Sequence, residues 1–175
     1  MSNRNTTRCI VVALAVSTGV MAGPALGADL NTQKMKIGNS SPSGPTGKII
    51  AKGDFQTFPP SDVFDASASI TFRVSDSPFV LDKSVTWAPT DCLTFQTGKV
   101  QCQSADKLAR AKFTPLNSSP GVFRFKIQVK GLANIHAPYA HPFSLILTHG
   151  STPTLRTDTM DECKTYVFGI ICHIL

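Results

Sequence analysis

The sequence predicts an all-β protein: a single antiparallel two-layer β-sandwich of about eight to ten strands, stapled by disulfides. Strong helix formers never recur with a period of 3.6 residues, and a single glutamate stands against ten aspartates. Eleven phenylalanines suit the half-buried surface of a pleated sheet. Several segments alternate apolar and polar residues, and Gly, Pro and Ser separate them at short intervals.

Residues 1–28 have the pattern of a signal peptide. Arg4 and Arg8 form a positive segment, Ile10–Ala22 is a short apolar core, and Ala25-Leu26-Gly27 supplies small residues for cleavage. The alternative is a membrane anchor, but the apolar run is about 13 residues against about 20 for a spanning helix. We therefore expect cleavage, a secreted or periplasmic protein, and no transmembrane segment in the mature chain.

The mature chain has the size of one domain. Residues 29–47 are predicted as an N-terminal strand followed by a flexible loop, GNSSPSGPTG, and residues 48–175 as the β-sandwich domain. A long connection, 56–68, interrupts the first half of the sandwich. Two strands are predicted before this connection, 34–37 and 48–55, and two directly after it, 70–75 and 80–87.

The second half carries the clearest alternation. Phe123, Phe125, Ile127 and Val129 are expected to face the core, and the residues between them to face solvent. A turn at 117–121 joins this strand to the one before it. The predicted strands are 108–113, 123–130, 143–149 and 165–174, with a polar stretch around residues 150–153 before the last.

Loss of the signal peptide removes Cys9 and leaves four cysteines in an oxidising compartment, which favours disulfides. If Gln96-Thr97-Gly98 is a hairpin loop with Gly98 in the left-handed conformation, Cys92 falls opposite Cys102. Cys163 and Cys172 can close a second hairpin around Gly169. Four cysteines permit three connectivities, and we expect the sequential one. Zinc is disfavoured because the spacings lack a C-x₂₋₄-C knuckle.

A resemblance follows from these residues. The succession of Trp87, Cys92, Gly98 and Cys102, then Phe113, Pro120-Gly121 and Phe123-Arg124-Phe125-Lys126, then Cys163 and Cys172, looks like that of secreted β-rich bacterial proteins of uncharacterised function. The similarity covers roughly residues 48–175. It implies the same fold and compartment and carries no activity with it.

The positive charge is concentrated in one part of the chain. Without Arg4 and Arg8 the formal net charge falls from +6 to +4, and residues 107–157 alone hold seven Lys or Arg and no acid. If the strands in this region pair as a hairpin, five cations share one face. The candidate anion-binding residues are Arg110, Lys112, Arg124, Lys126 and Lys130. The alternative interpretation is an ordinary solvated sheet face, or an edge that blocks aggregation.

Patterns that indicate catalysis are weak. His136, His141 and His149 lie within 14 residues, but the sequence contains no metal-binding motif such as H-E-x-x-H. The G-x-S-x-G elbow of serine hydrolases is absent. We therefore predict no catalytic residue, no metal site and no cofactor. A secreted hydrolase whose site assembles from loop His and Asp residues stays open as an alternative.

The sequence favours an exported, non-enzymatic binding or envelope-associated protein. Its cationic face is expected to contact anionic polysaccharide, lipid head groups or an acidic protein, and export argues against nucleic acid. A sugar platform built on stacked aromatic rings is disfavoured because Trp87, Tyr139 and Tyr166 are the only Trp and Tyr residues. A structural or adhesin-like subunit is a further alternative, and it predicts self-association.

Overall fold

A computed structural model describes residues 29–39, 47–60, 62–77, 81–132, 141–150, 154–166 and 169–173. The predicted signal peptide, residues 1–28, lies outside them. The described residues form two antiparallel sheets with twelve strands, which confirms the all-β class. A single 3₁₀ turn at Pro89–Asp91 is the one helical element among them.

The larger sheet has eight strands and the smaller has four. Consecutive hairpins build both sheets, and a few connections carry the chain from one to the other. The larger sheet has the order β11(Cys163–Tyr166), β12(Gly169–His173), β1(Leu30–Asn39), β2(Gly47–Gln56), β8(Val122–Leu132), β7(Ala109–Pro115), β6(Val100–Gln103), β5(Cys92–Thr94). The smaller has the order β10(Thr154–Met160), β9(Phe143–His149), β3(Ile70–Asp76), β4(Asp82–Trp87).

The core fills the space between the two sheets. Most strands bury alternate residues, so that on β8 Phe125 and Ile127 are buried while Arg124 and Lys126 are exposed. The connection between β2 and β3 closes one end, where the Phe64 ring packs 5.0 Å from that of Phe55, centroid to centroid. As a result, one face of the larger sheet is internal and the other faces solvent.

Both predicted disulfides are present. Cys92 pairs with Cys102 and Cys163 with Cys172, each across an antiparallel hairpin. Gly98 has φ of 72°, and the Phe95 amide donates to the Lys99 carbonyl, which is the turn and register derived from the sequence. The sequential connectivity is therefore confirmed.

Some strands differ from those predicted, and there are more than eight to ten. β10 was missed because its sequence, TLRTDTM, is polar and its buried Arg156 hides the alternation. The segment predicted as one strand over 165–174 instead belongs to two strands, β11 and β12. The first strand is also longer than predicted, Leu30–Asn39, and lies between β2 and β12.

Candidate anion-binding face

The β7–β8 hairpin places the five predicted cations on the solvent side of the larger sheet. Phe113 pairs with Phe125 and Ala111 with Ile127 on the buried side. The intervening positions therefore point outward, and all five cations are exposed. These residues are Arg110, Lys112, Arg124, Lys126 and Lys130.

Two neighbouring strands extend this positive surface. Lys126 lies opposite Lys112 on β7 and opposite Lys52 on β2, and Lys52 in turn lies opposite Lys34 on β1. Four consecutive strands thus contribute one lysine each to a line that we call the lysine row: Lys34, Lys52, Lys126 and Lys112. Because adjacent strands are 4.7–4.9 Å apart, the row is about 14 Å long.

The cationic face, as we call this solvent side of the sheet, carries far more positive than negative charge. Its single strand-borne acid, Asp54, lies opposite Arg124, but its carboxylate accepts hydrogen bonds from the amides of Asn31 (3.0 Å) and Gln33 (2.7 Å). The cations on the face form no ion pair with any residue that the structure describes. They are Lys34, Lys36, Lys48, Lys52, Arg110, Lys112, Arg124, Lys126, Lys130 and Lys164.

Two acidic side chains elsewhere are engaged in ion pairs with arginines. On the smaller sheet Asp82 accepts two hydrogen bonds from Arg73, and these hold the pKa of the Asp82 carboxyl below its usual range. Asp62 is paired with Arg156 inside the protein. The positive potential of the cationic face is therefore not cancelled by these acids.

A shallow depression of about 380 Å³ lies on the lysine row. It forms where β1 departs from regular pairing between Asn31 and Lys34, and this irregularity brings the β1 backbone close to Gly53 on β2. A β-carbon at Gly53 would collide with the Asn31 carbonyl oxygen and lie 2.8 Å from the Phe125 ring. The lining residues are Gln33, Lys52, Gly53, Lys112, Thr114, Arg124, Phe125 and Lys126.

The row continues beyond its last lysine toward the edge of the sheet. Lys112 lies opposite Gln101, and Gln101 opposite the exposed Leu93. A second depression of about 490 Å³ occurs here, lined by Asp91, Leu93, Gln101, Cys102, Gln103 and Arg110. The cationic face therefore contains two depressions, one on the row and one where it reaches β5.

His149 is buried among aromatic and charged side chains at the end of β9. Its Nε2 donates to the backbone carbonyl of Asp65 (3.1 Å), and its ring lies 4.8 Å from that of Phe64. Burial lowers the pKa of His149, and the Asp65 carbonyl and carboxylate partly oppose that effect. These contacts attach the 57–69 connection to the sandwich.

Arg156 lies beside this histidine and is fully buried. Its Nη2 donates to both oxygens of Asp62, one at 2.7 Å, and its Cζ lies 4.6 Å from the centroid of the Phe55 ring. Nε and Nη1 have no hydrogen-bond partner among the described residues. The Phe55 and Phe64 rings face the guanidinium instead, as in a cation–π contact.

The structure does not bring together the two candidate histidines that it describes, His141 and His149. His141 precedes β9 and His149 ends it, so the length of the strand, roughly 20 Å, separates them. His136 lies outside the described residues. Within the ranges that the structure describes, no three His, Cys, Asp or Glu side chains are grouped to hold a metal ion.

Sequence reasoning missed Lys34 and Lys52. Their region, residues 29–106, has nearly balanced charge, and β2 pairs with β8 only through long-range contacts. A local signal did exist, since Lys48, Lys52 and Asp54 share one parity along β2 and therefore one face. The sequence did not indicate that β2 pairs with β8, and so did not place these lysines beside Lys126.

Comparisons of the chain with protein-family models, with curated proteins and with solved structures found no match. Across the described ranges, no helix is long and apolar enough to cross a bilayer.

Proposed function

We propose that this protein is an exported, non-enzymatic binding protein that attaches to polyanions through its cationic face. The lysine row is the observation that supports this proposal most strongly. Like charges directly opposite each other on neighbouring strands are unfavourable, and here four of them follow one another without an acid between them. An anionic ligand relieves that repulsion when it binds.

The position of the row in the sheet supports binding over protection against aggregation. Lysines that block aggregation belong on edge strands, where backbone groups are unpaired. The row instead occupies β1, β2, β8 and β7, which are internal strands of the sheet. A face that serves solubility alone is also better supplied with charges of both signs.

Retention on heparin-agarose tests the proposal. We expect the wild-type protein to be retained at low salt and eluted by added NaCl, because salt screens exposed charges. R124E/K126E should elute at markedly lower salt. K83E/K107E is the matched control, since it changes net charge equally at one residue of the smaller sheet and one turn residue, both outside the row. Equal elution of R124E/K126E and wild type would contradict the proposal.

Export is tested separately. Expression of the full chain in a Gram-negative host should place the protein in the periplasmic fraction with a mass that begins at Ala28 or Asp29. An uncleaved chain in the cytoplasmic fraction would contradict export. That result would leave the binding measurement on purified protein intact.

A further inference from the structure

The positive groups at the centre of the cationic face form a line. Lys34, Lys52, Lys126 and Lys112 follow one another without interruption. The next parallel set of positions is broken by neutral residues, since Gln128 and Ile50 separate Arg110 from Lys36. On the other side Asp54 lies next to Arg124. A ligand with its charges along one axis matches this pattern better than a flat charged surface.

The depression on the row has the chemistry of a site for one acidic sugar. Its volume, about 380 Å³, is at the lower end of the usual range for small-molecule sites. Lys52, Lys112, Lys126 and Arg124 provide the charge for a carboxylate or sulfate. Gln33 uses its amide nitrogen on Asp54, so its carbonyl oxygen is left to accept from a hydroxyl, and Thr114 adds a hydroxyl of its own.

We infer that the ligand is a linear acidic polysaccharide that crosses the strands along the lysine row, with one acidic sugar seated in the depression beside Gly53. This inference rests on the proposed function and specifies its ligand. The chain extends from Lys34 toward Gln101 and Leu93, where the second depression receives a further sugar. Binding depends on charge and hydrogen bonds. Ring stacking on tryptophan plays no part, because Trp87 is fully buried.

An anionic bilayer fits the same residues less well. Peripheral membrane proteins combine cations with apolar side chains that enter the headgroup region. In the centre of the cationic face the lysines lie beside hydrogen-bonding residues, Gln33, Thr114 and Gln128, and the apolar Ile50 there is only partly exposed. The exposed apolar residues Leu93, Leu108 and Tyr166 lie at its edges. Hydroxyl-rich ligands use the hydrogen-bonding groups, and lipid surfaces gain little from them.

Titration calorimetry with oligogalacturonides of increasing length tests the inference. We expect affinity to increase from the monomer until the oligomer spans the row and then to level off, with neutral dextran oligomers showing no binding. K126E should weaken the longest oligomer about tenfold at low salt. T114V, which changes no charge, should weaken it several-fold, whereas T157V, an exposed threonine on the other sheet, should not.

The outcomes separate the two proposals. Any of three results would overturn the polysaccharide inference. These are an affinity that does not depend on oligomer length, a T114V variant that binds as the wild type does, and tighter binding to vesicles of phosphatidylcholine and phosphatidylglycerol than to oligomers. If K126E still weakened binding in those cases, the proposed function would stand. If K126E bound oligomers, heparin and vesicles as the wild type does, both the polysaccharide inference and the proposed function would be overturned. A thermal melt of each variant confirms that it is folded.

Discussion

Lys52 on β2 and Lys126 on β8 lie directly opposite each other, and each has another lysine as its next cross-strand neighbour. Opposed like charges lower the stability of a sheet. The described part of the chain holds acids that pair with arginines elsewhere, at Asp82 and Asp62. The positive charge of this face therefore has some cost in stability.

Neutralising one member of the row should stabilise the free protein. We expect K126Q to raise the free energy of unfolding by about 0.5 kcal/mol at low salt, because it removes two unfavourable cross-strand contacts. The gain should shrink as NaCl is added. Urea denaturation measures both effects without adding ions. K107Q, at an exposed turn, is the control, and a K126Q variant less stable than wild type at low salt would refute this expectation.

The buried ion pair should be costly to break from one side. D62A leaves the Arg156 guanidinium uncompensated in the core, and we expect a loss of about 3–5 kcal/mol. D62A/R156M removes the charge as well and places an apolar chain between Phe55 and Phe64. The double variant should therefore be more stable than D62A. Urea denaturation measures the free energy of unfolding of each variant. A loss below about 1 kcal/mol in D62A would show that the fold does not depend on the ion pair.

Stability should fall at mildly acidic pH because of His149. Its pKa in the folded protein is below the ordinary value of 6.5, owing first to burial. The unfolded chain therefore binds the proton more readily than the folded protein does. The contribution of His149 to stability is complete above about pH 6.5 and is lost as the pH falls through the pKa of the folded state. H149Q should flatten this dependence in pH-resolved thermal melts. H173Q, an exposed histidine, should keep it, and a wild-type slope in H149Q would contradict this origin.

Asp65 acts in a separate, more acidic range. Hydrogen bonds from the Ser67 hydroxyl and amide hold the pKa of the Asp65 carboxyl below its usual 3.8. Its contribution is present above that value and is lost only as the pH falls below it. The two residues can therefore be distinguished by the pH at which stability changes.

Each disulfide should contribute comparably, since both close short hairpins. We expect C92A/C102A and C163A/C172A each to lower the free energy of unfolding by about 2–3 kcal/mol, because the unfolded chain regains loop entropy. Urea unfolding measures the loss. A change below about 1 kcal/mol in either variant would show that the cross-strand contacts alone hold that hairpin.

Local patterns in the sequence identified the elements whose partners are close in the chain. The Cys92–Cys102 register followed from the position of Gly98, and the alternation of Phe125 and Ile127 with charged residues set the faces of β8. Such inferences succeed because hairpin pairing depends on turn geometry and on a period of two.

Long-range pairing determined what the sequence could not show. Lys34 and Lys52 join the cationic face only because β1 and β2 lie next to β8, and nothing local specifies that neighbour. β10 was hidden for a different reason, since Arg156 occupies an inward position normally held by an apolar residue. Its partner, Asp62, lies 94 residues away.

The salt dependence of heparin binding tests most directly whether the lysine row is the contact surface. For polyelectrolyte ligands, the slope of log affinity against log salt reports the number of cations engaged, as established for nucleic acids. We expect K126Q to reduce the magnitude of the slope by about one, and K107Q to leave it unchanged. A K126Q slope equal to that of the wild type would show that the ligand binds elsewhere.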